Sequence, residues 1–250
     1  MKLYTLLTIF IFSGAMLFTA EAQVKTSAKK KAVTTVKKKG VVTDNTKVKP
    51  VPVIKNDSIR IKIVTDSGIM VVRLYDSTPL HRDNFVKLVT EGFYDSLMFH
   101  RVIPGFMIQG GDPLSKNAPS GIMLGNGGDN MGRIPAEFRQ TLRHKRGVLA
   151  AARDGNKEKA SSACQFYIVE GKTLTDEELN MFESRKGIKY TVADREYFKT
   201  LGGTPMLDME YTVFGELESG FEVINKISMV PRDAANRPNA DVRMKMEVIN

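Results

Sequence analysis

Arg101 is the one certain charge in Phe99-His100-Arg101-Val102-Ile103-Pro104-Gly105-Phe106-Met107-Ile108-Gln109-Gly110-Gly111, and it stands among aromatic and sulfur side chains. A guanidinium cannot shed its proton and has only donors, so placing it beside Phe106 and Met107 is costly unless a polar partner arrives for it. Such a site is apolar on one side and cationic on the other. It offers hydrogen-bond donation to a polar group brought against it. Pro104-Gly105 is a strong turn signal, so Phe99 to Val102 and Phe106 to Gln109 are expected as two strands meeting at a tight corner. By strict alternation, Phe99 shares a face with Arg101, and Met107 with Gln109.

These residues closely resemble the cyclophilin family of peptidyl-prolyl isomerases, over the long contiguous pattern F-H-R-[VI]-I-P-G-F-M-x-Q-G-G-D that runs from Phe99 to Asp112. Arg101 as an ordinary surface cation at a strand edge would suit an isolated arginine, but not one embedded in this whole stretch.

The flanking chain supplies elements to hold it. Ser58 to Thr65 alternates Ile59, Ile61 and Ile63 with polar residues, and Ile69 to Tyr75 follows Asp66-Ser67-Gly68, which predicts a hairpin. Thr78 and Pro79 fit N-cap and first-turn positions of a helix with Phe85, Leu88 and Val89 on one face and Gly92 at its stop. Hairpin, helix and motif strands come in the order the family shows. The glycine-rich stretch Gly121 to Gly132 fits neither a dinucleotide fingerprint nor a P-loop. Its Gly125-Asn126-Gly127-Gly128 looks like the loop bordering the cyclophilin groove. Gly147 to Ala152 and Cys164 to Val169 are two further strands, the second with Gln165 and Tyr167 on one face and Phe166 and Ile168 on the other. Between Gly171 and Pro205 the chain departs from the compact family pattern. Thr175-x-x-Glu178 is a capping box with Leu174 and Leu179 placed as a hydrophobic staple, and Thr191 to Leu201 predicts a second short helix, the two packing over one end of the barrel. Leu207 to Gly215 resumes the family pattern. Phe221, Val223, Ile224 and Ile227 outline another helix, and Val242 to Ile249 a last strand.

The resemblance implies a mainly β fold, a closed eight-stranded antiparallel β-barrel capped by two α-helices, here with a short helical insertion at about residues 171–205. It implies cis/trans isomerisation of the bond preceding proline, without cofactor or covalent intermediate, on proline-containing polypeptides. Arg101 would be catalytic. Phe106, Met107, Tyr167 and Leu207 would hold the pyrrolidine ring, with Tyr167 in place of the more usual Phe. Gln109 and Gln165, with backbone groups near Ala152 and Arg153, would anchor the rotating peptide; Arg153 replaces the family's usual Asn, which matters little if only its backbone is used. His100, Met206 and Tyr211 complete the expected binding set. Met206 stands where Trp or His is usual and Tyr211 where animal members have His, departures that bear on inhibitor binding more than on catalysis. Two other classes of function compete with this one: a prolyl-peptide-binding chaperone module with little turnover, and an envelope-tethering protein acting through its basic tail.

The N-terminus reads differently from the rest. Lys2, an apolar run from Leu3 to Ala20 and Ala20-Glu21-Ala22 make a secretory signal peptide over residues 1–22 with cleavage before Gln23, an uncleaved anchor being the competing reading. The product would be periplasmic or secreted. Residues 23–56 hold ten Lys, one acid (Asp44) and no aromatic residue, the composition of a disordered linker able at most to touch anionic envelope surfaces weakly. That segment accounts for the chain's net charge of +9: residues 57–250 carry 26 Lys plus Arg against 26 Asp plus Glu, so nothing points to nucleic acid. Those 194 residues suit one isomerase domain, expected as a monomer. The single cysteine, Cys164, excludes an internal disulfide and reads as a small core residue, and His81, His100 and His144 show no metal-ligand spacing.

Overall fold

A computed structural model describes residues 59–249. The signal peptide and the Lys-rich linker expected over residues 1–56 lie outside them. The alternating isoleucines build the first hairpin, β1 (Arg60–Thr65) and β2 (Gly68–Leu74), whose Ile61, Ile63, Met70, Val72 and Leu74 point inward. Helix α1 (Pro79–Thr90) follows, with Thr78 at its N-cap and Pro79 at its first turn. Then come β3 (Phe99–Ile103), β4 (Met107–Gly110), the short β5 (Arg133–Ile134), β6 (Val148–Ala151), the short β7 (Ser161–Ser162) and β8 (Phe166–Val169). After them stand α2 (Asp176–Lys186), α3 (Val192–Thr200), β9 (Val213–Ser219), α4 (Phe221–Ser228) and β10 (Met244–Ile249).

Eight strands form one antiparallel sheet in the order β10-β1-β2-β9-β6-β8-β4-β3, and β5 pairs with β7 separately. The sheet curls until its edges meet. Closure is by an isolated bridge rather than a full ladder: Met98 pairs with Arg243, Phe99 N–H donates to Val242 C=O and Met244 N–H to Leu97 C=O, both at 2.9 Å. Inside lies the main core, where Phe85, Leu88 and Val89 of α1 and Val223, Ile224 and Ile227 of α4 meet Phe99, Val102, Ile108, Phe166 and Ile168. The apolar stripes of these two helices thus bury against the sheet, as amphipathic helices must.

One register differs from strict alternation, and it matters. Phe99 pairs with Gly110 and Arg101 with Gln109, so β3 carries an extra residue, His100. A bulge of this kind turns a side chain to the other face. Phe99 therefore enters the core while Arg101 faces outward, correcting the expectation that the two share a face.

The opposite face of β4, β6, β8 and β9 carries a second cluster: Met107, Val148, Ala150, Tyr167, Val169 and Val213, with Phe106, Leu207 and Tyr211 packed on it. The insertion has its own satellite core of Leu179, Ile188, Tyr190 and Phe198, with Leu174 and Phe182 against it. Both of its helices start at complete capping boxes, Thr175 with Glu178 and Thr191 with Asp194. Helix α2 packs against the 3-10 turn Pro205–Leu207, so the insertion borders the segment that delivers Leu207.

Candidate active site

The outward cluster floors a pocket of about 100 Å³ lined by Arg101, Phe106, Met107, Gln109, Ala152, Arg153, Tyr167, Leu207 and Tyr211. Nine of the twelve residues expected at the site meet there. A sealed apolar cavity of ~150 Å³ holds benzene, so an open pocket of this size is on the scale of one small ring. Gln165 lines an adjoining hollow of about 260 Å³, bounded by the glycine loop at Gly125 to Gly128 and by Arg133 and Asp154. Gln109, Ala152 and Arg153 line both.

Arg101 is held by a relay of amides. Gln165 Nε2 donates to the carbonyls of Gly125 and Gly127, both at 2.9 Å, which leaves its Oε1 to accept from Gln109 Nε2 at 3.1 Å. Gln109 Oε1 then accepts from Arg101 Nη1 at 3.1 Å. That is one of five guanidinium donors. Among the described residues Arg101 has no carboxylate partner, although it is half-buried. The glycine loop is pinned in turn by Asp112, a fully buried carboxylate that accepts from Leu114 N–H and Gly125 N–H. Gly128, at φ +95°, lies so close to Cys164 Sγ that a Cβ there would collide with it.

The pocket floor has a second support that the sequence did not disclose. Tyr167 is 4 % exposed, and its hydroxyl lies 2.9 Å from His144 Nε2. His144 Nδ1 is 2.8 Å from Asp208 Oδ1, which also accepts from the His144 backbone N–H at 2.7 Å. Because a carboxylate only accepts, Nδ1 carries a proton, and in the neutral ring Nε2 then accepts from Tyr167. Asp208 Oδ2 accepts from Tyr190 O–H, at 2.9 Å, so the chain of bonds runs from the pocket floor into the insertion. Burial first, then Tyr211 and Asp208, push the Tyr167 phenol well above its usual range, so it remains a donor. Tyr211 stands edge-on to Tyr167, with ring centroids 5.8 Å apart.

Four expected roles change in place or kind. His100 lines neither the pocket nor the hollow; it is the bulge residue, 3 % exposed beneath the glycine loop, and among the described residues no well-formed hydrogen bond reaches either ring nitrogen. Burial, reinforced by Arg101 and opposed by Asp112, lowers its pKa to about 4, and it is neutral near pH 7. Met206 does not reach the pocket either. It is 46 % exposed and faces a separate depression, because the tight turn that aims Leu207 inward aims its neighbour away. Arg153 contributes more than backbone: its guanidinium lies 4.7 Å over the Tyr211 ring and donates to Glu210 C=O at 2.8 Å, clamping the pocket wall. Ala152 N–H is already committed to Gln165 C=O at 2.9 Å, so that donor is not open to a bound peptide.

Residues 60–248 match the family described as Cyclophilin type peptidyl-prolyl cis-trans isomerase/CLD. A putative peptidyl-prolyl cis-trans isomerase of Staphylococcus haemolyticus is 32 % identical over 195 residues, 76 % of this chain and 90 % of that protein. A putative bifunctional phosphatase/peptidyl-prolyl cis-trans isomerase of Streptococcus pyogenes is 34 % identical over 186 residues; these are 73 % of this chain but only 37 % of that longer protein. The crystal structure of a cyclophilin type isomerase from Cryptosporidium parvum superposes with a TM-score of 0.56 at 25 % identity, covering 78 % of this chain and 99 % of that one. The same Cryptosporidium protein has been solved in the presence of the dipeptide Ala-Pro. With the curled eight-stranded sheet, the ring-sized pocket and the F-H-R to G-G-D stretch on one framework, this chain belongs to the family of cyclophilin-type peptidyl-prolyl cis-trans isomerases.

Proposed function

We propose that the protein accelerates rotation about the peptide bond preceding proline in exported polypeptides, with Arg101 stabilising the twisted transition state. One observation carries this reading: a half-buried guanidinium with one of its donors used and no ion pair among the described residues, beside an apolar pocket on the scale of a pyrrolidine ring. The Ala-Pro dipeptide used with the Cryptosporidium relative fits the same chemistry.

An X-Pro bond resists rotation by roughly 20 kcal/mol because the nitrogen lone pair is delocalised into the carbonyl. As the bond twists, the lone pair localises on nitrogen and becomes a hydrogen-bond acceptor. The free donors of Arg101 can meet it there. The planar ground state offers no such acceptor, so the interaction favours only the transition state. Shortening tens of seconds to milliseconds, roughly four decades, requires about 5.4 kcal/mol at about 1.36 per decade. Phe106, Met107, Tyr167 and Leu207 hold the ring; Gln109 keeps one Nε2 hydrogen to offer the rotating segment, and Gln165, its own amide committed to the glycine loop, fixes the orientation of Gln109. Export is supported by Lys2, the apolar run Leu3 to Ala20 and Ala20-Glu21-Ala22, and the Lys-rich residues 23–56 would tether the domain. The test is a proline-isomer assay on a short Ala-Pro peptide, with catalysed relaxation expected; binding without turnover would instead favour a chaperone module.

A further inference from the structure

Beside the ring-sized pocket lies a larger depression, about 450 Å³, that the insertion helps to build. Phe182 of α2, Met206 and Met209 give it an apolar floor, and Lys159, Arg185 and Lys186 stand around it. It adjoins the pocket through chain neighbours: Met206 and Glu210 face the depression, while Leu207 and Tyr211 face the pocket.

Its charge is lopsided. The Glu210 carboxylate is 2.8 Å from Lys159 Nζ, 3.3 Å from Arg153 Nη2 and 4.0 Å from Lys186 Nζ, so one acid serves three cations. Exposed Arg185 adds a fourth cation and has no ion pair among the described residues. Asp208 offsets the excess only in part, because its carboxylate is fully buried and hydrogen-bonded by His144 and Tyr190, while its carbonyl accepts from Lys186 Nζ at 2.9 Å. Burial, with Lys159 adding to it, holds Lys186 below the usual lysine range, against the pull of Glu210 and Asp208. An arriving anion would be attracted by all of these cations.

We infer that this depression is an accessory subsite for the polypeptide substrate, taking an acidic side chain close to the proline. The methylenes of Glu or Asp lie on Met206, Met209 and Phe182, and the carboxylate sits among Lys159, Arg185 and Lys186. Extended chain advances ~3.3–3.6 Å per residue, so a depression adjoining the pocket is reached within about one to three residues of the proline. The inference rests on the pocket being a prolyl-peptide site and names which prolyl peptides that site prefers.

The experiment uses Ala-Pro peptides carrying Glu, Gln or Lys at each of the three positions on either side of Ala-Pro, and reads the ratio of kcat/KM for Glu to Gln. Pairs at a solvent-exposed site are weak, so a preference of about 2- to 5-fold is expected at one or two positions. It should shrink at 1 M salt, where the Debye length falls to ~3 Å. Arg185→Gln, which removes an exposed side chain, should lower the ratio, and the Lys159→Gln/Lys186→Gln double variant should bring it close to one. Lys226→Gln, on α4 and lining neither hollow, should leave the ratio as in the wild type. A wild-type ratio near one at every position, or a preference that survives both variants, overturns the subsite while leaving the isomerase reading intact. If no peptide is turned over, the isomerase reading fails. The same Glu-to-Gln ratio is then read from peptide dissociation constants, with the same results for and against.

Discussion

Tyr167→Phe isolates the bond that ties the pocket floor to the framework behind it. Among the described residues the hydroxyl has one partner, His144 Nε2 at 2.9 Å, in a residue 4 % exposed. Removing it loses one hydrogen bond and leaves a buried ring nitrogen without a donor, since Nδ1 of the same ring is occupied by Asp208. Leaving one buried polar atom unsatisfied costs about 1–3 kcal/mol. For a domain of this size each kcal/mol corresponds to about 2–4 °C in Tm, so Tm should fall by about 2–12 °C. The ring itself stays, with Leu207, Met107 and Phe106 around it, so kcat/KM on an Ala-Pro peptide should change by less than about threefold. Thermal unfolding and the isomer assay on the same preparations check both. A variant as stable as the wild type would show that the phenol–imidazole bond does not hold the floor. A loss of activity beyond tenfold would show that the hydroxyl takes part in catalysis.

The remaining predictions concern the layer beneath the groove and the N-terminus. His100 has a folded pKa lowered to about 4, against about 6.5 when unfolded, so the unfolded chain binds its proton first as pH falls. Its contribution is present above pH ~6.5 and lost between there and pH ~4, amounting to about 3 kcal/mol; unfolding curves across that range should be correspondingly flatter for His100→Leu than for the wild type. Gly128→Ala requires a side chain at φ +95° against Cys164 Sγ, so it should lower Tm by several degrees and weaken peptide binding by displacing the loop that accepts from Gln165; peptide titration reads the second effect. Mature protein from a secreting host should begin at Gln23 by N-terminal sequencing, and recovery of an uncleaved membrane form would refute the leader reading.

What the sequence disclosed followed from local rules. Alternation at Gln165 to Ile168 separates groove from core because β8 has no bulge, and the capping box at Thr175 starts α2 because a cap is a contact three residues long. Where one residue broke the period, the reading failed. His100 is spelled like any strand residue, yet as a bulge it moves Arg101 to the opposite face from Phe99 and is itself buried. Met206 and Leu207 are neighbours in a tight turn, where no period of two or 3.6 tells which way each points. His144 and Asp208 meet across 64 positions, joining a loop to the end of a 3-10 turn, and no spacing rule signals such a pair. The hydroxyl of Tyr167 was the one hint, because a buried phenol needs a partner.

The central claim is that a guanidinium donor, rather than charge or pocket shape alone, lowers the rotational barrier. The direct measurement is kcat/KM on one Ala-Pro peptide for wild type, Arg101→Ala and Arg101→Lys, with folding verified by thermal unfolding and peptide affinity by titration. Because Lys presents a point charge without the planar fork, both variants should lose most of the turnover, at least about a hundredfold, while their peptide affinity changes far less. Turnover within a fewfold of wild type in folded Arg101→Ala would contradict the account.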